Sequence, residues 1–106
     1  MHIFHITTPD AWESARETGS YTLSTRGVSL AQEGYIHCSE EHQVQGVRSR
    51  FYDDLDDVLL LVVDTDLLTS PWRTEQLAGA DQPYPHVYGP INLDAVVEVR
   101  RVGSGA

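Results

Sequence analysis

The chain has 106 residues, a length that supports one hydrophobic core and leaves no room for a second. It carries 16 acidic against 7 basic side chains, a formal net charge of −9 at pH 7, and this excess repels nucleic acid and anionic membrane surfaces. Every basic side chain is arginine, which excludes Schiff-base chemistry and a phosphate-loop lysine, and the single Cys38 allows neither an internal disulfide nor a thiolate metal cluster.

The amino-terminal stretch Met1-His2-Ile3-Phe4-His5-Ile6 lacks the basic flank and long apolar run of a secretion signal, and a cytoplasmic location is expected. Ile3 to Ile6 reads as a short strand. Thr8 then offers a capping hydroxyl, Pro9 suits a first helical turn, and Gly19 suits a stop, so a helix with Ala11, Trp12 and Ala15 on its inner face is predicted between them. Ser20 to Glu33 shows no steady period and reads as a loop with one helical turn. Gly34 to Cys38 reads as a second short strand, and Ser39-Glu40-Glu41 as a helix cap followed by two favourably placed acids.

The following helix is expected to reach Tyr52, with Val44, Val47 and Phe51 as its buried stripe and Gly46 allowing a close neighbour. Val58 to Val63 is apolar on both faces and belongs in the middle of a covered sheet. Asp64 can cap a single turn at Leu67 and Leu68, and an extended segment from Trp72 to Leu77 puts Arg73 and Glu75 on one face. Pro83, Pro85 and Pro90 surround Tyr84, His86 and Tyr88, which reads as a shaped loop or an edge strand. Ala95 to Val102 alternates as a closing strand. The expected organisation is therefore one α+β domain over 1–102 with a flexible tail over 103–106.

The residues that stand out chemically are His37, Cys38 and Ser39, at the junction of a strand and a helix start. Alternation puts His37 and Cys38 on opposite strand faces, so the two cannot form a nucleophile pair, and Cys38 is expected to face the interior. The structural alternative is that Ser39 only caps, Cys38 fills core and His37 bonds a carbonyl. His2, His5, His37, His42 and His86 show none of the spacing of zinc sites, and no metal site is expected. Glu75, taken alone, is a surface partner for Arg73.

Taken together, Ile3-Phe4-His5-Ile6, Trp12, Gly34-Tyr35-Ile36-His37-Cys38-Ser39 with Gln43, Arg50-Phe51-Tyr52 and Pro85-His86-Val87-Tyr88-Gly89-Pro90 closely resemble domain-of-unknown-function family 952. Proteins of this family resemble the ADP-ribosyltransferase fold group and, in element order, the RNA 2′-phosphotransferases that consume NAD. The resemblance implies two small bent sheets around a cleft with two main flanking helices. It implies a small-molecule nucleotide ligand, with NAD as a substrate, and an ADP-ribosyl-transfer or NAD-processing activity. In that comparison Phe4-His5-Ile6-Thr7 is similar to the strand that holds the NAD ribose. His37, Glu75 and His86 take catalytic roles, and His5, Thr7, Ser39 and Tyr88 bind ligand. Ile6 stands where that strand has glycine, and Ala11 and Trp12 stand where a pair of arginines is expected, which weighs against phosphate transfer on RNA. A non-catalytic nucleotide-binding module and a hydrolase using Cys38 or Ser39 are the alternatives.

Overall fold

In the computed structural model, which describes residues 1–103, the chain opens with strand β1 (His2–Thr7). Helix α1 (Pro9–Thr18) follows with the expected ends: Thr8 Oγ1 accepts from the Ala11 amide at 3.2 Å, and Gly19, at φ 88°, donates to the Ala15 carbonyl at 2.8 Å. The segment read as a loop holds β2 (Ser20–Tyr21), β3 (Leu23–Thr25), β4 (Val28–Ser29) and the one-turn helix α2 (Leu30–Glu33), whose Ser29–Gln32 capping box is complete. The turn was legible, but strands of two or three residues are too short to show a period.

Strand β5 (Ile36–His37) leads to a 3₁₀ turn at Glu41–Gln43 and helix α3 (Val44–Phe51). Ser39 is not the cap. Its amide donates to the Phe4 carbonyl at 2.7 Å and its carbonyl accepts from the Phe4 amide at 2.8 Å, so it is held extended beside β1, and Glu40 takes the cap position. The buried stripe of α3 also differs at its end, since Phe51 is 45% exposed and Tyr52 only 2%. Tyr52 leaves the helix at φ −131° and turns inward, its hydroxyl donating to the Ile6 carbonyl at 3.2 Å. Arg48 is buried under this turn and donates to the Tyr52 and Leu55 carbonyls, satisfying acceptors the helix end leaves over. A Cβ on Gly46 would meet nothing within 4 Å, so the close neighbour expected there is absent.

Strand β6 (Asp57–Asp64) is followed by a 3₁₀ turn at Thr65–Leu67, with Asp64 Oδ1 accepting from the Asp66 amide at 3.0 Å. Then come β7 (Trp72–Glu75), β8 (Tyr84–Val87), β9 (Ile91–Asn92) and β10 (Val96–Gly103). The strands form small antiparallel sheets, ordered β1-β6-β10, β5-β8-β7, β2-β9 and β3-β4. As its two-sided apolar pattern requires, β6 is central and buried on both faces. Ile3, Leu61 and Val63 pack on one side with Tyr21, Ile36, Cys38, Val87 and Ile91, while Phe4, Leu60 and Val62 pack on the other with Val44, Val47, Tyr52 and Tyr84.

The proline-rich segment is neither a loop nor an edge. β8 is the middle strand of its sheet. Pro85 is tolerated there because the neighbouring chain departs at that point: Cys38 donates its amide to the Pro85 carbonyl at 2.9 Å, and the next residue, Ser39, pairs with β1 instead. Residues 36–39 thus belong in turn to both main sheets and join them. The expected tail at Ser104–Ala106 lies outside the described residues, and Gly103 still belongs to β10. Among the described residues no helix is long and apolar enough to cross a membrane.

Candidate functional site

One face of the β5-β8-β7 sheet carries the polar residues. The register pairs His37 with His86 and His86 with Arg73, which places Arg73, His86 and His37 in a row across three strands; Glu75 pairs with Tyr84 in the row beside them. Tyr35, two residues before His37, stacks its ring on His86 at 4.1 Å between centroids and 27° between planes. Between this face and the end of α3 lies a cleft of about 220 Å³ whose walls include Tyr35, His37, Glu75, Tyr84, His86 and Arg50.

Glu75 is the hub of the cleft. Its Oε1 receives the Tyr88 hydroxyl and lies 2.9 Å from His86 Nδ1, while its Oε2 lies 3.4 Å from Arg73 Nε, and its side chain keeps 22% of its surface in solvent. The Arg73 guanidinium in turn lies over the Tyr88 ring at 4.6 Å. Because a carboxylate only accepts, His86 must hold its proton on Nδ1, leaving the Nε2 lone pair as the basic side of the ring. This is a carboxylate–imidazole dyad with its tautomer fixed.

His37 is half-buried, tilted against Tyr84 at 4.9 Å and 5.7 Å from His86. Burial, with smaller contributions from the neighbouring His86 and Arg50 and against an opposing one from Glu33, lowers its pKa to about 4, so it is neutral at pH 7. Its Nε2 is buried and has no hydrogen-bond partner within the described residues. Such a buried, unmatched nitrogen is uncommon in a folded protein.

The structure brings together His37, Glu75, His86 and Tyr88. His5, Thr7 and Ser39 lie behind them. His5 is 3% exposed; its Nδ1 donates to the His37 carbonyl at 2.6 Å and its Nε2 lies 2.7 Å from the Tyr21 hydroxyl, which is 2.8 Å from Thr7 Oγ1. With the imidazole proton on Nδ1, Tyr21 must donate to Nε2 and Thr7 to Tyr21, a closed chain with no hydrogen left over. Burial lowers the His5 pKa to about 4, which keeps it in this neutral form. Ser39 lines a separate small space of about 10 Å³ with His5 and His37, room for at most one water. His37 forms the wall between this space and the open cleft.

Cys38 is fully buried in the apolar cluster on the opposite strand face, and burial pushes its thiol pKa up, so it has no access to the cleft. Tyr84, Arg73 and Arg50 belong to the site and were not singled out in it from the sequence, and Tyr35 was read only as the start of the Tyr35–Ser39 segment. The available signal was the repeated two-residue spacing Tyr35-x-His37, Arg73-x-Glu75 and Tyr84-x-His86-x-Tyr88, which marks polar and aromatic strand faces. Among the described residues no group of three or more His, Cys, Asp or Glu side chains is arranged to hold a metal ion.

Fold and site together define a small α+β protein with a carboxylate, two imidazoles and several phenol rings gathered on one face of a three-stranded antiparallel sheet. The chain belongs to the family described as "Protein of unknown function (DUF952)", whose model matches residues 6–99. No curated protein matches it. It is similar to the crystal structure of protein CC0527 from Caulobacter crescentus at a TM-score of 0.78 and 25% identity, covering 97% of this chain and 85% of that one. The solution structure of the same Caulobacter protein gives a TM-score of 0.68 at 24% identity, covering 96% and 83%.

Proposed function

We propose that the cleft between Tyr35, His37, Glu75 and His86 binds a nucleotide of the NAD or ADP-ribose class, and that the Glu75–His86 dyad serves ribosyl transfer or NAD processing. The observation that carries this reading is the dyad itself, a carboxylate 2.9 Å from a histidine in the wall of the cleft, with tyrosines around it. A space of about 220 Å³ suits a nucleoside-sized piece of such a ligand, the remainder lying outside. Breaking the glycosidic bond sends nicotinamide away with the bonding electron pair and leaves a ribosyl cation, whose charge the nearby carboxylate stabilises. An acceptor hydroxyl then bonds C1′, and its proton passes to His86 Nε2. The resemblance to the ADP-ribosyltransferase group supports this chemistry.

The second reading is binding without turnover. It is favoured by one detail: both Glu75 oxygens already face donors within the protein, from Tyr88 and His86 on one side and Arg73 on the other. A thermal-shift series with NAD, ADP-ribose and AMP, followed by assay of nicotinamide release, separates the two, since a ligand of the native state raises the melting temperature by mass action. A shift with NAD and released nicotinamide supports transfer, and a shift without release supports the binding module. No shift with any of the three contradicts both.

A further inference from the structure

The β1-β6-β10 sheet ends on β10, which at eight residues is the longest edge strand among the described residues. One side of β10 is bonded to β6. Along the strand, Val97 to Arg101 are five consecutive exposed residues, with Val97 48% and Val99 40% exposed. Among the described residues no strand pairs with the outer side of β10, which therefore presents an open row of backbone donors and acceptors. The other edges are engaged or short. On β1, Ser39 is bonded to both backbone groups of Phe4, and β7 has four residues, with Glu75 turned to His86 and Tyr88 of its own chain.

Charges on an edge strand commonly keep a second strand away. Toward a copy of itself, β10 has the opposite arrangement. A twofold axis perpendicular to the sheet keeps each side chain on its own face, so two antiparallel copies pair with one residue opposite its own equivalent. Among the exposed positions beyond the bulge that separates Val96 from Glu98, centring on Glu98, Arg100 or Arg101 sets like charges face to face. Centring on Val99 sets Glu98 of each copy opposite Arg100 of the other and leaves Val99 beside Val99. Within one chain Arg100 Nε already donates to Glu98 Oε2 at 2.7 Å, as residues two apart on one strand face can. Pairing thus closes four alternating charges on one face and a valine pair on the other. Strand β10 also carries two arginines against one glutamate in a chain of net charge −9, so an acidic copy meets less repulsion here than over the chain at large.

We propose that β10 is the docking edge for a second copy of this chain, which joins two β1-β6-β10 sheets into one six-stranded antiparallel sheet across a twofold axis at Val99. Backbone bonds and the valines supply the affinity, and the Glu98 and Arg100 charges fix the register. The proposal is independent of the nucleotide reading, because no residue lining the cleft lies on β10.

The test is sedimentation equilibrium of the full chain at rising concentration, up to about 1 mM. The wild type is expected to approach twice the monomer mass. Glu98→Arg sets arginine against arginine and Arg100→Glu sets glutamate against glutamate, and each is expected to weaken self-association about tenfold or more. An equimolar mixture of these two variants has opposite charges in both pairs and is expected to recover association, a result that misfolded variants would not give. The double variant Glu98→Arg with Arg100→Glu should recover it alone. Val99→Lys, at an exposed position, puts like charges beside the axis and is expected to abolish association. A wild type that stays monomeric throughout, a dimer indifferent to these substitutions, or a mixture and double variant that fail to recover would each overturn the proposal.

Discussion

His5 Nδ1 donates to the backbone carbonyl of His37 at 2.6 Å, tying the buried strand β1 to the strand that carries the cleft. The two histidines were both candidates for ligand contact, yet the bond divides their work. His5 holds the His37 main chain in place, and the His37 ring faces the cleft.

The same pair makes stability depend on pH in a defined window. Unfolded, His5 takes up its proton near 6.5, whereas in the fold it does so only near 4, mainly because it is buried. Between these values the unfolded chain binds more protons, so stability is full above pH 6.5 and falls as the pH drops toward 4. His5 alone is expected to account for about 3 kcal/mol over that range, and His37 acts in the same direction. Urea midpoints measured at steps from pH 7 to pH 4 check this, and a flat profile would contradict it.

Replacing His37 by alanine should cost the apo protein little, about 1 kcal/mol, because the ring nitrogen it removes has no partner to orphan. The carbonyl that His5 needs is backbone and survives the substitution. Ligand-induced stabilisation should shrink by much more. Denaturation midpoints of wild type and His37→Ala, with and without the compound that shifts the wild type, decide the matter. A large apo loss with an unchanged ligand shift would make His37 structural.

Cys38 should resist labelling by thiol reagents until the protein unfolds, since it is fully buried and its thiol is held protonated. Cys38→Ser puts a hydroxyl in an apolar cluster and should cost about 2 kcal/mol. Rapid stoichiometric labelling of the native protein would contradict the placement.

Gly89 follows Tyr88, and a Cβ built there would lie 2.5 Å from Ser70 Oγ, the hydroxyl that donates to the Pro90 carbonyl at 2.6 Å. Gly89→Ala must therefore displace Ser70 and is expected to destabilise the fold by about 2 kcal/mol, with a weaker Tyr88–Glu75 contact as a consequence. Gly89→Ala combined with Ser70→Gly should recover part of the loss in thermal unfolding, because the clashing side chain is gone.

Much of this architecture was legible where local physical rules agree. The Thr8 cap, Pro9 and Gly19 delimit α1 because each satisfies or terminates the helix by its own chemistry, and Val58–Val63 announced a central strand because both faces are apolar. Ser39 misled because its hydroxyl suits a cap, whereas its backbone is committed to Phe4, a partner far away in the sequence. Pro85 misled for a related reason: a proline in a middle strand is tolerated only where the neighbour leaves, and that departure is a property of the tertiary fold. The site divides similarly. Arg73 and Glu75 were readable as one face, but the diagonal bond from Glu75 to His86 depends on the register of β7 with β8.

The most direct test of the proposed site is an amide and side-chain NMR titration of the full chain with ADP-ribose, and with NAD, repeated on Glu75→Gln. The account predicts saturable shifts gathered on Tyr35, His37, Glu75, Tyr84 and His86, with affinity lowered about tenfold or more in the variant, since a charge-assisted contact is worth more than 1 kcal/mol. Shifts confined to the small space lined by His5 and Ser39, or an affinity indifferent to Glu75, would contradict it.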